Sequence, residues 1–122
     1  MHEFSICEGI VRAALDEMSR HGVAAGSLRT TRIVVGALHQ VVPANLDFAY
    51  EVLTRDTAAA GSKLEIRAVP VTARCRGCGW TGDIQSPLFL CGACNSGDIE
   101  LITGKELYVE NLEIEKDDGQ EH

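Results

Sequence analysis

No stretch of about 18 consecutive apolar residues occurs in this chain, so nothing in it reads as a membrane-spanning helix. No charged segment followed by an apolar one opens it. That predicts a protein that stays in the cytosol, where thiols remain reduced. A surplus of positive charge is missing too: 11 Lys and Arg stand against 18 Asp and Glu, a net charge of −7. Broad attraction to nucleic acid or to an anionic membrane is thereby disfavoured. There is no internal repeat and no low-complexity tract. There is also no nucleophile–base set and no phosphate-binding Gly-Lys loop, so nothing points to an enzyme. The 122 residues suffice for one domain or two small ones, and 45% hydrophobic content supports only a modest core. A chain of this size gains from an added staple.

The five cysteines are the most conspicuous thing present. In a reducing compartment they are metal ligands or buried thiols rather than a disulfide framework. Cys75-Arg76-Gly77-Cys78 and Cys91-Gly92-Ala93-Cys94 form two C-x-x-C pairs separated by 12 residues. Each pair can set two thiolates on one side of a tight turn. Two facing turns then make a closed tetrahedral S4 site, which suits zinc. Gly79 stands after the first pair, where a left-handed residue is often wanted. Ile84 and Leu88 to Leu90 can form a short hairpin between the pairs, extended afterwards by Ile99 and Leu101. This is a zinc-ribbon pattern. Four thiolates leave no open position for water or substrate, so the expected role is structural. Thiol exchange, an iron–sulfur cluster and a nucleic-acid-reading ribbon are the alternatives. For the last, Arg74 and Arg76 supply the nearby cations and Trp80 the only stacking ring. Cys7 falls on an apolar helical stripe and reads as a buried core thiol.

The opening Met1-His2-Glu3 is a second ligand set. The Met1 amine and the His2 amide nitrogen can close one chelate ring, and the His2 and Glu3 amides another. The His2 imidazole closes a third through Nδ1. Bound amides must lose their protons, which Ni(II) and Cu(II) promote in square-planar nitrogen sets. Copper binds such a set more tightly, so selectivity for nickel rests on metal supply and partners. Acid should release the metal, because amine and imidazole must be unprotonated. The bland reading is an ordinary chain start followed by two polar residues. The Glu3 carboxylate either adds a ligand or favours the positive end of a helix. His39, in a loop, can also approach a metal. His21 suits a helix C-terminus, and His122 belongs to an acidic, frayed tail.

Around these sites the pattern is α+β. Ser5 and Glu8 suggest a capping box for a helix from about Phe4 to His21, with Ile6, Ile10, Ala14 and Met18 on its inner stripe. Cys7, Val11 and Leu15 widen that stripe, and Gly22 is placed to end the helix in a left-handed turn. Leu28 to Val35 reads as a strand, Gly36 to Val42 as a loop, and Pro43 as the first turn of a second helix. Leu46, Ala49, Tyr50 and Leu53 make one face of that helix, broadened by Phe48 and Val52. Leu64, Ile66 and Ala68 alternate as a half-buried strand. Leu107 to Ile114 alternates again with a change of phase, which predicts a bulge near Glu110–Asn111. This last strand needs a sheet partner from the earlier ones. The expected architecture is a small sheet with two helices over 1–72 and 104–122, and a zinc-ribbon domain inserted at 73–103.

Taken together these features resemble the HypA/HybF family of nickel-incorporation proteins. The likeness rests on Met1-His2-Glu3, on the paired C-x-x-C ribbon and on a run of fragments in order. The fragments are Gly36-Ala37-Leu38, Val42-Pro43, Phe48-Ala49-Tyr50-Glu51 with Thr54, Leu64-Glu65-Ile66 and Gly104-Lys105-Glu106-Leu107. The resemblance implies Met1, His2 and Glu3 for nickel and Cys75, Cys78, Cys91 and Cys94 for zinc. It implies two partners, the GTPase HypB and the precursor large subunit of a [NiFe] hydrogenase. Some members use an extra histidine in the zinc lobe or the first helix; this chain has none between His39 and His122 and none within the first helix before His21.

The reading that follows is a metallochaperone, not an enzyme, that carries Ni(II) on a flexible N-terminus and hands it to hydrogenase beside a structural Zn(II). The competing reading is a zinc-ribbon adaptor that mediates protein contacts without metal delivery.

Overall fold

The computed structural model describes residues 2–84 and 89–115. In chain order the elements are α1 (His2–Arg20), β1 (Leu28–Gly36), a 3-10 turn (Ala37–His39), α2 (Pro43–Thr54), β2 (Lys63–Val69), β3 (Thr72–Cys75), β4 (Thr81–Asp83), β5 (Ile99–Thr103) and β6 (Leu107–Ile114). Two three-stranded sheets form, ordered β2-β1-β6 and β4-β3-β5. The α+β class expected from the sequence is what the chain adopts, and its last strand does return to the first sheet. The chain divides into two compact units. The first takes its described residues from Met1–Ile33, Val41–Arg67 and Tyr108–His122, the second from Val34–Gln40 and Ala68–Leu107. Among the described residues no helix is long and apolar enough to cross a membrane.

In the first unit, α1 buries Cys7, Ile10, Val11, Ala14 and Met18, the stripe that the 3.6-residue period marks out. Its end is a Schellman turn. Val23 N–H reaches Met18 O at 2.8 Å and Gly22 N–H reaches Ser19 O at 3.3 Å, with Gly22 at φ +66°. The start differs from expectation. The helix begins at His2, so Ser5 lies inside it and is exposed rather than capping it. The buried Glu3, described below, anchors this earlier start.

Helix α2 opens at Pro43, whose ring excludes helical geometry at Val42 (φ −95°, ψ 114°). It buries Leu46, Ala49, Tyr50 and Thr54. Phe48 does not broaden that face. It lies two residues, or about 200°, from Leu46 and stays 57% exposed. Among the described residues its ring meets that of Phe4, edge to face with centroids 6.3 Å apart. Buried between α2 and β1, the Tyr50 hydroxyl pairs with Thr31 Oγ1 at 2.8 Å and with Ser62 Oγ at 2.7 Å. On the outward face of the sheet, Arg32 of β1 laces the neighbouring strands together. It donates to Glu65 on β2, to Asn111 Oδ1 at 3.1 Å and to Glu113 Oε1 at 2.8 Å on β6. In β2, Leu64 and Ile66 are half-buried but Ala68 is exposed. In β6, Val109 and Leu112 are the half-buried residues, so burial changes phase at Glu110–Asn111.

The second unit is built on β3. It pairs antiparallel with β4 (Ala73↔Gly82) and with β5 (Ala73↔Leu101), with a register shift between Thr72 and Ala73. Thus among the described residues the strand before the second cysteine pair is Thr81–Asp83, and Ile84, Phe89 and Leu90 do not belong to one. Ile84 instead enters the core with Val71 and Ala73. Leu88 lies outside the described residues, and Phe89 and Leu90 have no regular structure. Two of the sequence fragments meet here. Gly36 N–H donates to Glu106 O at 2.7 Å and Leu38 N–H to Gly104 O at 3.0 Å. A Cβ added at Gly36 would sit 2.1 Å from the Gly104 carbonyl oxygen, which is backbone and cannot step aside.

Gly36→Ala is therefore expected to lower stability by about 1–3 kcal/mol or more. Gly9 lies in α1 with nothing within 4 Å of its added Cβ. Gly9→Ala should raise stability by about 0.5–1 kcal/mol. Urea denaturation followed by circular dichroism reads both, and equal effects of one sign would contradict the close approach at Gly36.

Candidate metal centres

The four paired cysteines converge in the second unit. Sγ of Cys75, Cys78, Cys91 and Cys94 all lie within 4.8 Å of one another. Cys75 and Cys94 sulfurs are 3.7 Å apart, and those of Cys78 and Cys91 3.5 Å. Ligands about 2.3 Å from a tetrahedral zinc would stand about 3.8 Å apart, so the cluster fits that ion. The fit comes from two knuckles of one design. Cys75 N–H donates to Trp80 O at 2.8 Å and Gly79 N–H to Cys75 O at 3.0 Å. In the second, Cys91 N–H donates to Ser96 O at 2.8 Å and Asn95 N–H to Cys91 O at 3.1 Å. The residue that reverses each turn is left-handed, Gly79 at φ +82° and Asn95 at φ +65°. Gly79 was legible in advance. Asn95 was not, although it holds the equivalent place after the second pair.

Within each pair the first cysteine is buried and the second exposed. Backbone N–H groups point at the buried sulfurs. Cys91 Sγ accepts from Cys94 and Ala93 at 3.2 Å each, and Cys75 Sγ accepts from Cys78 at 3.4 Å. Burial alone would raise the Cys91 thiol. The two amide donors and the neighbouring thiols outweigh it and lower it to about 6. At Cys78 the Trp80 amide pulls down, but the Cys91 sulfur beside it and burial push the thiol up to about 12. Without metal the cluster thus holds one favoured thiolate.

The features that a nucleic-acid reading relied on are engaged within this unit. Arg74 pairs with Glu100 at 3.3 Å and Arg76 with Asp98 at 3.0 Å. Trp80 packs on two glycines: a Cβ at Gly82 or Gly92 would come within 2.5 or 2.6 Å of its ring. His39 turns Nε2 to Lys105 O at 3.0 Å, and no described histidine joins the sulfur cluster.

The amino-terminal set belongs to the first unit. Met1 lies outside the described residues. His2 and Glu3 are already helical, so the loose terminus expected from the sequence is corrected at these two positions. His2 is exposed, with Nδ1 3.5 Å from Glu3 Oε1. Glu3 is only 5% exposed, and its Oε2 accepts the Val42 N–H at 2.9 Å. Val42 is the N-cap of α2, and a capping-box Glu or Gln would reach back to this same N–H. Here a carboxylate from another helix supplies the contact. It lies at the positive end of both α1 and α2. Val42-Pro43 marked where α2 begins, but an N-cap N–H is left free whatever residue follows, so nothing local pointed to Glu3 as its partner. Cys7 is buried, its sulfur 4.0 Å from Leu46 O. Burial, with help from Asp47, pushes its thiol up to about 11, as an inert core thiol requires.

Comparison with known proteins agrees with this geometry. Residues 1–114 match the family model HypA, described as hydrogenase/urease nickel incorporation, metallochaperone. A hydrogenase maturation factor HypA from Desulfosudis oleivorans is 37% identical over 116 residues, covering 95% of this chain and 100% of the relative. One from Acidithiobacillus ferrooxidans is 39% identical over 117 residues, covering 94% and 100%. The solution structure of the Ni metallochaperone HypA from Helicobacter pylori matches with TM-score 0.61, covering 94% of this chain and 98% of that one. At 17% identity this last likeness concerns the fold.

Two outcomes follow from the charges. The Val42 N–H holds the Glu3 carboxyl below its ordinary value of 4.5. Its contribution to stability is therefore complete above that value and lost as pH falls through the lowered one. Glu3→Gln should flatten the acid limb of the stability profile, and an unchanged limb would mean the contact is idle. For the sulfur cluster, Cys91 is largely ionised at pH 7 while Cys78 and Cys94 are not. Zinc loading there should release fewer protons than the four cysteines carry. The number should rise towards four as pH drops below about 6. Calorimetry in buffers of different ionisation enthalpy counts them; four protons at pH 7 would refute a preformed thiolate.

Proposed function

We propose that this HypA-family chain, a nickel metallochaperone of hydrogenase maturation, carries Ni(II) on Met1, His2 and Glu3. It delivers the ion to the large-subunit precursor of a [NiFe] hydrogenase, with the GTPase HypB as its partner in nickel handling. Zn(II) is held by Cys75, Cys78, Cys91 and Cys94 and keeps the second unit folded. The protein catalyses no reaction of its own in this reading.

One observation carries the nickel assignment. The exposed His2 sits in the first turn of α1, where the leading backbone N–H groups have no intrahelical acceptor. The His2 and Glu3 amides can give up their protons to a strongly polarising ion without breaking a helical hydrogen bond. The Glu3 carboxylate is held by Val42, so Glu3 takes part through its amide nitrogen and its side chain keeps the turn in place. The His2 ring must rotate its Nδ1 away from Glu3 to close the chelate. Loading then needs rotation of one exposed side chain, a fast motion. Release to a partner reverses the same small step.

The thiolate cluster suits a resident ion for opposite reasons. All four positions are protein sulfurs, two of them are buried, and backbone N–H groups fix their charge. A closed S4 set exchanges slowly and offers no open site.

In calorimetry on protein with a native Met1, His2→Ala should abolish Ni(II) binding and leave zinc content and fold unchanged. Residues added before Met1 should block nickel delivery in the same way, whereas a protein acting only as an adaptor would tolerate them. Unchanged nickel affinity in His2→Ala defeats the assignment.

A further inference from the structure

One edge of the first sheet is open in a manner that the nickel and zinc sites do not explain. Strand β6 lies at the end of the order β2-β1-β6, so among the described residues one side of its backbone faces no other strand. Such a row of N–H and C=O groups invites another strand, and proteins usually blunt it. The opposite edge is blunted: β2 carries Lys63, Glu65 and Arg67 and is followed by Pro70. Strand β6 has eight residues and neither lysine nor proline. Two of its carboxylates are drawn inward across the sheet, Glu113 to Arg32 at 2.8 Å and Glu110 to Arg67 at 3.4 Å. Tyr108 and Ile114 are left 49% and 38% exposed.

A groove of about 570 Å³ accompanies this strand. Val109 to Leu112 and Ile114 line it together with Asp16 and Glu17 of α1. Consecutive strand residues point to opposite faces. A groove touching four in a row therefore follows the edge of the strand rather than one face. Its charges are mostly spent within the chain: Glu17 pairs with Arg20 at 3.2 Å and with His21 at 3.1 Å. Asp16 has no ion pair among the described residues and remains the open charge of the groove.

We infer that the α1–β6 groove is a strand-addition site. It takes an extended segment of a partner protein with alternating apolar side chains and a lysine or arginine opposite Asp16. Backbone pairing with β6 supplies affinity, and the groove beside α1 reads every second side chain. A second copy of this chain is a poor occupant, because each copy brings a net charge of −7 to a groove whose open charge among the described residues is the carboxylate of Asp16. The inference stands apart from the nickel reading and does not need it.

The probe is a capped nine-residue peptide of alternating valine and lysine, added at millimolar concentration to the full zinc-loaded chain. Amide hydrogen exchange is followed by NMR. Alternate amides between Tyr108 and Ile114 should exchange roughly tenfold more slowly when the peptide is bound. A peptide N-methylated at alternate residues should give no protection. Asp16→Lys should weaken binding roughly threefold to tenfold, while His2→Ala should leave it unchanged. Protection elsewhere, no protection, or protection that rises with protein concentration without peptide would each overturn the proposal, the last in favour of self-association.

Discussion

Everything in the second unit depends on four sulfur atoms being brought within 4.8 Å of one another. Its apolar burial is small: one cluster of Val71, Ala73 and Ile84, with Leu38, Trp80, Ile99 and Leu101 only partly covered, and Val34 and Val35 from the end of β1. Full burial of a Val or Ile side chain contributes about 1.5–3 kcal/mol. Apparent binding free energies of structural zinc in small domains are about 10–16 kcal/mol. In the proposed zinc-loaded state, coordination outweighs any one of these burials, and the rest of the unit can be read as its support. Two glycines let the Trp80 ring lie flat beside the knuckles, and two left-handed residues turn the chain after each pair. The three short strands hold these turns in register. A larger core would have made the sulfurs dispensable.

The first unit is held by conventional means, an amphipathic helix stripe and a satisfied hydroxyl chain through Tyr50, so its use of a buried carboxylate is informative. Glu3 is placed where two helix N-termini converge. One carboxylate answers the orphan N–H of α2 and the dipoles of both helices. That ties the opening residues to the body of the unit. A wholly loose tripeptide would lose more conformational entropy on closing around a metal than one whose second and third residues are already helical. In the proposed nickel site, anchoring the third residue while exposing the second would leave the ligand set partly preorganised yet open to exchange.

Much of this was legible in the sequence because it followed from periodicity or spacing. The α1 stripe, the left-handed Gly22, the Pro43 start of α2 and the converging C-x-x-C pairs all obey local rules. What escaped depended on partners distant in the chain. Ser5 and Glu8 satisfy the capping-box pattern, yet the helix starts earlier because Glu3 is fixed by Val42. Phe48 looks like core, yet its angle around α2 turns it outward. Thr81-Gly82-Asp83 has no strand-like composition, but Gly82 must lie under Trp80 and opposite Ala73. The fragment Gly36-Ala37-Leu38 is uninformative until Gly104 is placed against it. For the candidate nickel set, the sequence named the donor atoms. It could not show that the carboxylate of Glu3 was already committed to a backbone amide.

The two candidate centres divide along lines that ligand chemistry alone would draw. Thiolates are soft and anionic, and four of them neutralise and enclose a tetrahedral ion with no vacant position. Such a site resists exchange, and exchange would unfold the small unit that it supports. Amine and imidazole bind only when unprotonated, and amides only after losing a proton to the metal, so the hold of such a set weakens as soon as protons compete. An ion that must be passed on belongs on the second kind of set, and one that must stay belongs on the first. In the proposed reading, the exchangeable set sits in a unit whose stability comes from Tyr50, Thr31 and the α1 stripe, so loading and unloading would not threaten the fold. By the same logic, nickel captured by the thiolates would be the wrong ion in the wrong place. The closed geometry at Cys75, Cys78, Cys91 and Cys94, of a size that fits tetrahedral zinc, works against a square-planar ion.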